Sequence, residues 1–323
     1  MQRSVPISFA PVEQVSWPSR DGRFIIDGFL LKPHDFDPSR KYPLLVNIHG
    51  GPSVDFIGTF HDIRLSSAFH SQMEFFANRG YLVLMPNHRG GVSNDAPGFA
   101  EGLKEQQVVS FELDIESGVD YLLARGFVDE SRMALLGASY GGYLAAWGVT
   151  RTHRYRAASV NDSMFDLVSF YGQGYPEFVD YMRYYMGGNP REVPQKYRDE
   201  SPTWNVDRIR TPILLRAGNT DGKHRPYLFH SQSLEFYAAL RDEGVPAELV
   251  VHPFEGHAVL DVETSKDYLL RNADWLDFWL NGVEDPAPSK VSQYRRWREM
   301  RDGFKQSVTS PMTEPMSLRR DGA

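Results

Sequence analysis

Short apolar runs, most of them closed by a glycine or a proline, recur along the chain, and amphipathic stretches separate them. Residues 23–32 (RFIIDGFLLK) alternate loosely after the Asp21-Gly22 turn and read as a strand. Further runs lie at 43–48, 81–85, 132–136, 157–160, 212–216 and 247–251. Runs this short and this apolar suit strands buried on both faces. Helical spacing appears at 71–79, 111–125, 228–241 and 266–280. In the second of these, Leu113, Val119, Leu122 and Leu123 fall near helical spacing, and Gly126 supplies a stop. Strands alternating with helices predict an α/β fold: a mostly parallel central sheet with helices on both faces.

Two segments break this rhythm. Residues 161–210 contain no clean strand, are crowded with Phe and Tyr, and lie between two strands. They are expected to form a helical insertion over the sheet. Past Gly282 the chain turns polar, and residues 293–300 (QYRRWREM) read as one short basic helix with a solvated face. The expected organisation is a lead-in at 1–22, an α/β domain at 23–282 and a polar tail at 283–323.

Composition narrows the chemistry. The chain has 323 residues, 41% of them hydrophobic, enough for a sizeable core. A net charge of -7 argues against nucleic acid as the main partner. The absence of cysteine excludes disulfides, thiolate metal sites and a cysteine nucleophile. No apolar stretch approaches membrane-spanning length, and the first ten residues hold no signal-peptide core. The expectation is a cytoplasmic protein without a membrane partner, although a removed leader would leave the same sequence. Neither H-E-x-x-H, a P-loop nor G-x-G-x-x-G occurs, so no metal or dinucleotide cofactor is expected.

One motif carries chemistry. Gly137-Ala138-Ser139-Tyr140-Gly141 matches G-x-S-x-G, with an apolar strand before it and a helix start after it. That context places Ser139 on a strained turn that lifts its hydroxyl above the sheet. A serine hydroxyl needs a base to take its proton. In this fold the order is Ser, then acid, then His. His257, in Glu255-Gly256-His257 after the last strand, has the loop position required; His252 lies within the strand. Asp221 follows the preceding strand and is the expected acid, ahead of Asp207 and Asp261. It would hold the imidazole tautomer and stabilise the imidazolium. The oxyanion donors are expected to be the amides of Tyr140 and of Gly51, with Gly50 as the alternative within His49-Gly50-Gly51-Pro52.

With these residues in view, the chain resembles the catalytic domain of the prolyl oligopeptidase family of serine peptidases, in its acylaminoacyl-peptidase and dipeptidyl-peptidase-like branch. The matching stretches include Asn47-Ile48-His49-Gly50-Gly51-Pro52, Asn87-His88-Arg89-Gly90-Gly91, Gly137-Ala138-Ser139-Tyr140-Gly141-Gly142-Tyr143 and Glu255-Gly256-His257. The resemblance implies an α/β-hydrolase fold, the triad Ser139, Asp221 and His257, and an oxyanion hole at Gly51 and Tyr140. It also implies that aromatics early in the insertion, such as Phe165, shape the substrate pocket.

There are departures. Ala217-Gly218 stands where members usually show His-Gly, and Gly222-Lys223-His224-Arg225-Pro226 is one residue longer than the usual run. Members usually carry a β-propeller before this domain. The chain is then expected to be either the catalytic portion of a longer protein or a stand-alone hydrolase. The expected activity is hydrolysis of amide bonds in short peptides through an acyl-enzyme. An esterase or thioesterase of the same fold, and a non-catalytic binding protein, remain as alternatives. The sequence does not fix the oligomeric state, and a homo-oligomer is compatible with it.

Overall fold

The computed structural model describes residues 9–53, 68–92, 94–220 and 228–309. Eight strands form one sheet: β1 (Val12–Pro18), β2 (Ile25–Leu31), β3 (Tyr42–Ile48), β4 (Leu82–Asn87), β5 (Val128–Ala138), β6 (Ala157–Asn161), β7 (Ile213–Gly218) and β8 (Ala247–His252). Their order across the sheet is β1-β2-β4-β3-β5-β6-β7-β8. β1 and β2 run antiparallel to their neighbours, and every pairing from β4 onward is parallel.

Every residue of β3, β4, β6 and β7 is buried. Successive side chains of a strand point to opposite faces, so both faces of the central sheet are covered. This is why these strands read as unbroken apolar runs. β1 differs: its pattern (VEQVSWP) is only partly buried, as suits an edge strand. It lies within the expected lead-in and extends the sheet by one strand.

The helices that cover the sheet are α1 (Ala68–Asn78), α2 (Glu116–Ala124), α3 (Tyr140–Gly148), α7 (Leu228–Asp242) and α8 (Val262–Leu276). A π-helical turn, Phe111–Ile115, leads into α2, and another, Asp277–Asn281, follows α8. The insertion between β6 and β7 holds α4 (Leu167–Gln173), α5 (Pro176–Met186), α6 (Pro194–Asp199) and a 3₁₀ segment, Pro202–Arg208. Its regular structure is helical, as the sequence predicts, with turns between the helices. Asp166 caps α4 by accepting from the amides of Val168 and Ser169.

The chain divides into two compact units, Met1–Glu284 and Asp285–Ala323. The second contains α9, Val291–Thr309, a longer helix than the basic stretch at 293–300 suggests. Among the described residues, no helix is long and apolar enough to cross a membrane.

A buried polar knot fastens the antiparallel edge to the parallel body. Arg89, just past β4, donates from Nη2 to Asp114 Oδ1 at 2.7 Å and from Nη1 to Asp21 Oδ2 at 3.0 Å. Trp17 of β1 donates to Asp114 O at 2.8 Å. Its ring lies where a Cβ on Gly118 of α2 would stand 2.5 Å away, so only glycine admits it. Asp114→Ala leaves the Arg89 cation buried with its main partner removed, and should lower stability by about 3–5 kcal/mol in a denaturant titration.

Candidate active site

The site is built at the carboxyl ends of β3, β5, β6, β7 and β8, where the sheet order changes direction around β3 and β5. Ser139 is the residue between β5 and α3, with φ 58 and ψ -129. Serine at a helix start normally spends its hydroxyl on a capping bond. Here the side chain makes no capping bond, so the hydroxyl is left for chemistry. The strained backbone is held from β6: Ser139 N donates to Asn161 O at 2.9 Å, and Ser163 Oγ donates to Ser139 O at 2.6 Å.

The glycines of the motif answer to close backbone approach. A Cβ on Gly137 would lie 2.3 Å from Gly141 O, and one on Gly141 would lie 2.1 Å from Ile48 O. A Cβ on Gly50 would come within 3.1 Å of Ser139 Cβ. The His49-Gly50-Gly51-Pro52 turn is thereby laid directly against the nucleophile. Gly51 has φ 116, a conformation that favours glycine. Behind this turn the rings of His49 and His88 stack with centroids 4.1 Å apart. Burial pushes the His88 pKa down to about 4, so that ring is neutral near pH 7.

The two tyrosines of the motif anchor the start of α3. Tyr140 donates its hydroxyl to Gln107 O, and Tyr143 donates to Glu200 O at 2.9 Å. The first amides of a helix have no intrahelical acceptor and carry the positive end of its dipole. Tyr140 is the first residue of α3, so its amide suits a developing oxyanion.

Gly51, Ser139 and Tyr140 together form one wall of an open cavity. Met164, Phe170, Phe178, Tyr181 and Phe229 form the others. His257 stacks on Phe229, a residue of the cavity wall, with centroids 4.8 Å apart. It is an exposed residue, yet the protein around its ring, and then the Arg216 cation, lower its pKa from the usual 6.5. Its loop is shaped by Glu255, whose carboxylate accepts from the amides of Leu260 at 2.9 Å and Asp261 at 3.0 Å.

Ser139, Gly51 and Tyr140 thus converge on one cavity, and His257 packs on Phe229, one of its lining residues. Asp221 lies outside the described residues, three positions past the end of β7. Phe165 does not line the cavity. It is buried against Phe236, ring centroids 4.6 Å apart, while its amide and that of Asp166 donate to Gln232 Oε1. The aromatic wall comes instead from α4, α5 and α7. Phe178 and Tyr181 sit three apart on α5, a helical spacing visible in the sequence but without a direction until the helix is placed.

A sequence model of the prolyl oligopeptidase family matches residues 67–283, a span that holds Ser139, Asp221 and His257. The chain belongs to this family. Dipeptidyl-peptidase 5 of Porphyromonas endodontalis is 30% identical over 263 residues, covering 78% of this chain and 35% of its own length. A solved puromycin hydrolase superposes with a TM-score of 0.76 at 26% identity, over 88% of this chain and 42% of its own. A puromycin-hydrolyzing peptidase of Mycobacterium tuberculosis gives 0.76 at 23% identity, over 86% and 40% of the two chains, and speaks for the fold. The eight-stranded sheet is the α/β-hydrolase fold of the prolyl oligopeptidase family, and the chain spans about a third of the length of the curated relatives it matches.

The crowded elbow yields a direct test. Gly141→Ala should cost about 1–3 kcal/mol through overpacking and disable Ser139. Gly172→Ala on α4, where a Cβ meets nothing within 4 Å, should leave both stability and turnover intact. Parallel melting curves and active-site titrations compare the two.

Proposed function

We propose that the protein is a serine peptidase that cleaves amide bonds of short peptides through an acyl-enzyme. The observation that carries this reading is Ser139 at φ 58, uncapped, on the wall of an aromatic cavity that also presents Gly51 and Tyr140. Ser139 would attack the scissile carbonyl. His257 would take its proton and return it to the leaving amine, with Asp221 as the orienting acid. The amides of Tyr140 and Gly51 would bind the oxyanion. The dipeptidyl-peptidase and puromycin-hydrolysing relatives fit a small amide substrate. The cavity walls favour a large apolar or aromatic residue on the acyl side of the scissile bond, since burying such a side chain contributes about 1.5–3 kcal/mol.

A base must be neutral to accept a proton. Because the His257 pKa is lowered, the imidazole stays neutral to lower pH, and the acid limb of kcat/KM should have its midpoint below pH 6.5. A kcat/KM profile with no acid limb in the histidine range would contradict the assignment of His257 as the base.

Ser139→Ala should leave the melting temperature unchanged and reduce turnover by roughly 10³-fold or more. Rates on an aminoacyl anilide and a matched ester report the preferred bond, because the same groups stabilise either tetrahedral intermediate. A variant that retains wild-type turnover on every cleaved substrate would sink the proposal. An ester-only profile would replace peptidase with esterase.

A further inference from the structure

Asp162 follows β6 and Arg216 lies on β7; they are 1% and 4% exposed. Arg216 Nη1 donates to Asp162 Oδ2, and the amide of Gly218 donates to Asp162 Oδ1 at 2.9 Å. Their backbones are also joined, Asp162 N donating to Arg216 O at 3.0 Å. Asp162 has φ 40, in the left-handed region that aspartate tolerates better than most residues. The guanidinium lies 5.3 Å from the centroid of the Tyr268 ring. A buried ion pair seldom stabilises a fold more than apolar residues of the same volume. Stability alone does not account for this one.

Its position does. Asn161 and Ser163, on either side of Asp162, are the residues that hold the Ser139 backbone, at 2.9 and 2.6 Å. At the other end, Gly218 closes β7 where a Cβ would stand 2.3 Å from Glu255 O. Thr220 N donates to the same carbonyl at 3.1 Å. Glu255 is two residues before His257. The pair occupies the junction of the nucleophile turn, the strand before Asp221, and the histidine loop.

We propose that Asp162 and Arg216 are positioning residues for hydrolysis: their ion pair holds these three turns in register and fixes one cation beside the histidine loop. This rests on the serine hydrolase reading above. The groups around His257 are uneven in charge. β7 contributes Arg216, the end of β6 Asp162, and the loop itself Glu255. α7 presents the uncharged Phe229. On α8, Asp267 and Arg271 pair with each other at 2.9 Å and act on His252. Arg216 lowers the His257 pKa, second to burial. Burial raises that of Asp162 to about 6 against the pull of Arg216. Above that pH the two charges balance; below it Arg216 is unopposed.

The test uses the full chain carrying Asp162→Asn, Arg216→Met or both. The rate at which an aryl phosphonate labels Ser139 is followed across pH, with melting curves on the same samples. Asp162→Asn leaves Arg216 unopposed at every pH and should move the upper part of the acid limb, above about pH 6, to lower pH. Arg216→Met removes the cation, leaves Asp162 to protonate, and should move the limb to higher pH. The double variant should lie above Asp162→Asn. Plateau rates should fall roughly tenfold in the single variants as the turns shift. Acid limbs that coincide with wild type, beside a lowered melting temperature alone, would overturn the proposal. If Arg216→Met does not fold, Asp162→Asn decides, because it keeps the side-chain size and tolerates the same backbone. A wild-type chain that resists labelling overturns the hydrolase reading itself. A labelled wild type with unmoved limbs in the variants overturns only the role of the pair.

Discussion

Where β3, β5 and α3 meet, main-chain atoms approach so closely that no side chain fits between them. Gly141 rests against the carbonyls of Ile48 and His49, and Gly137 against Gly141 itself. This contact fixes the start of α3 relative to the end of β3. Ser139 and the His49-Gly50-Gly51-Pro52 turn consequently share one wall of the cavity. The left-handed backbone of Ser139 is unfavourable in isolation by about 1–3 kcal/mol. It persists because Asn161, Ser163 and the two tyrosine anchors at the start of α3 leave the turn nowhere to relax.

The polar groups inside the domain follow the same logic of fastening turns rather than filling volume. Arg89, Asp114 and Asp21 join the loop after β4 to the antiparallel edge and the helix that covers it. Asp162 and Arg216 join the turns after β6 and β7. Asp277, on the π-helical turn after α8, accepts from Tyr81 at 2.6 Å and also receives Arg79, tying the segment beside β4 to the end of the domain. Each such group would be costly unpaired, so each joint is specific as well as strong.

Much of this was legible in the sequence, because burial on both faces writes strands as short apolar runs. The runs at 43–48, 157–160, 212–216 and 247–251 each fall on a strand, with ends displaced by a residue or two. β1 is hidden in the sequence because an edge strand with one wet face mixes polar and apolar residues without clean alternation. Ser139, Gly51, Tyr140 and His257 could be named from the sequence because the chemistry expected of them demands particular residues in a fixed chain order. The cavity walls could not. Phe165 and Met164 are adjacent in the chain, yet the first packs on Phe236 and the second faces the cavity. Only the angle at which the chain leaves β6 decides between them, and no local pattern encodes that angle. The buried pair was invisible for a similar reason: Asp162 and Arg216 are 54 residues apart and meet through strand adjacency alone.

The cavity draws its reactive wall from the sheet ends and most of its remaining surface from the insertion, through Met164, Phe170, Phe178 and Tyr181. These two parts answer to different constraints. Backbone crowding leaves the first almost no freedom to vary. The second is a set of apolar side chains on helices outside the sheet, where exchanges of similar volume usually cost less than about 1.5 kcal/mol. Such a molecule can drift in what it accepts while the turn that carries Ser139 stands still. New specificities would arise by repainting four or five positions, with the scaffold beneath them unchanged.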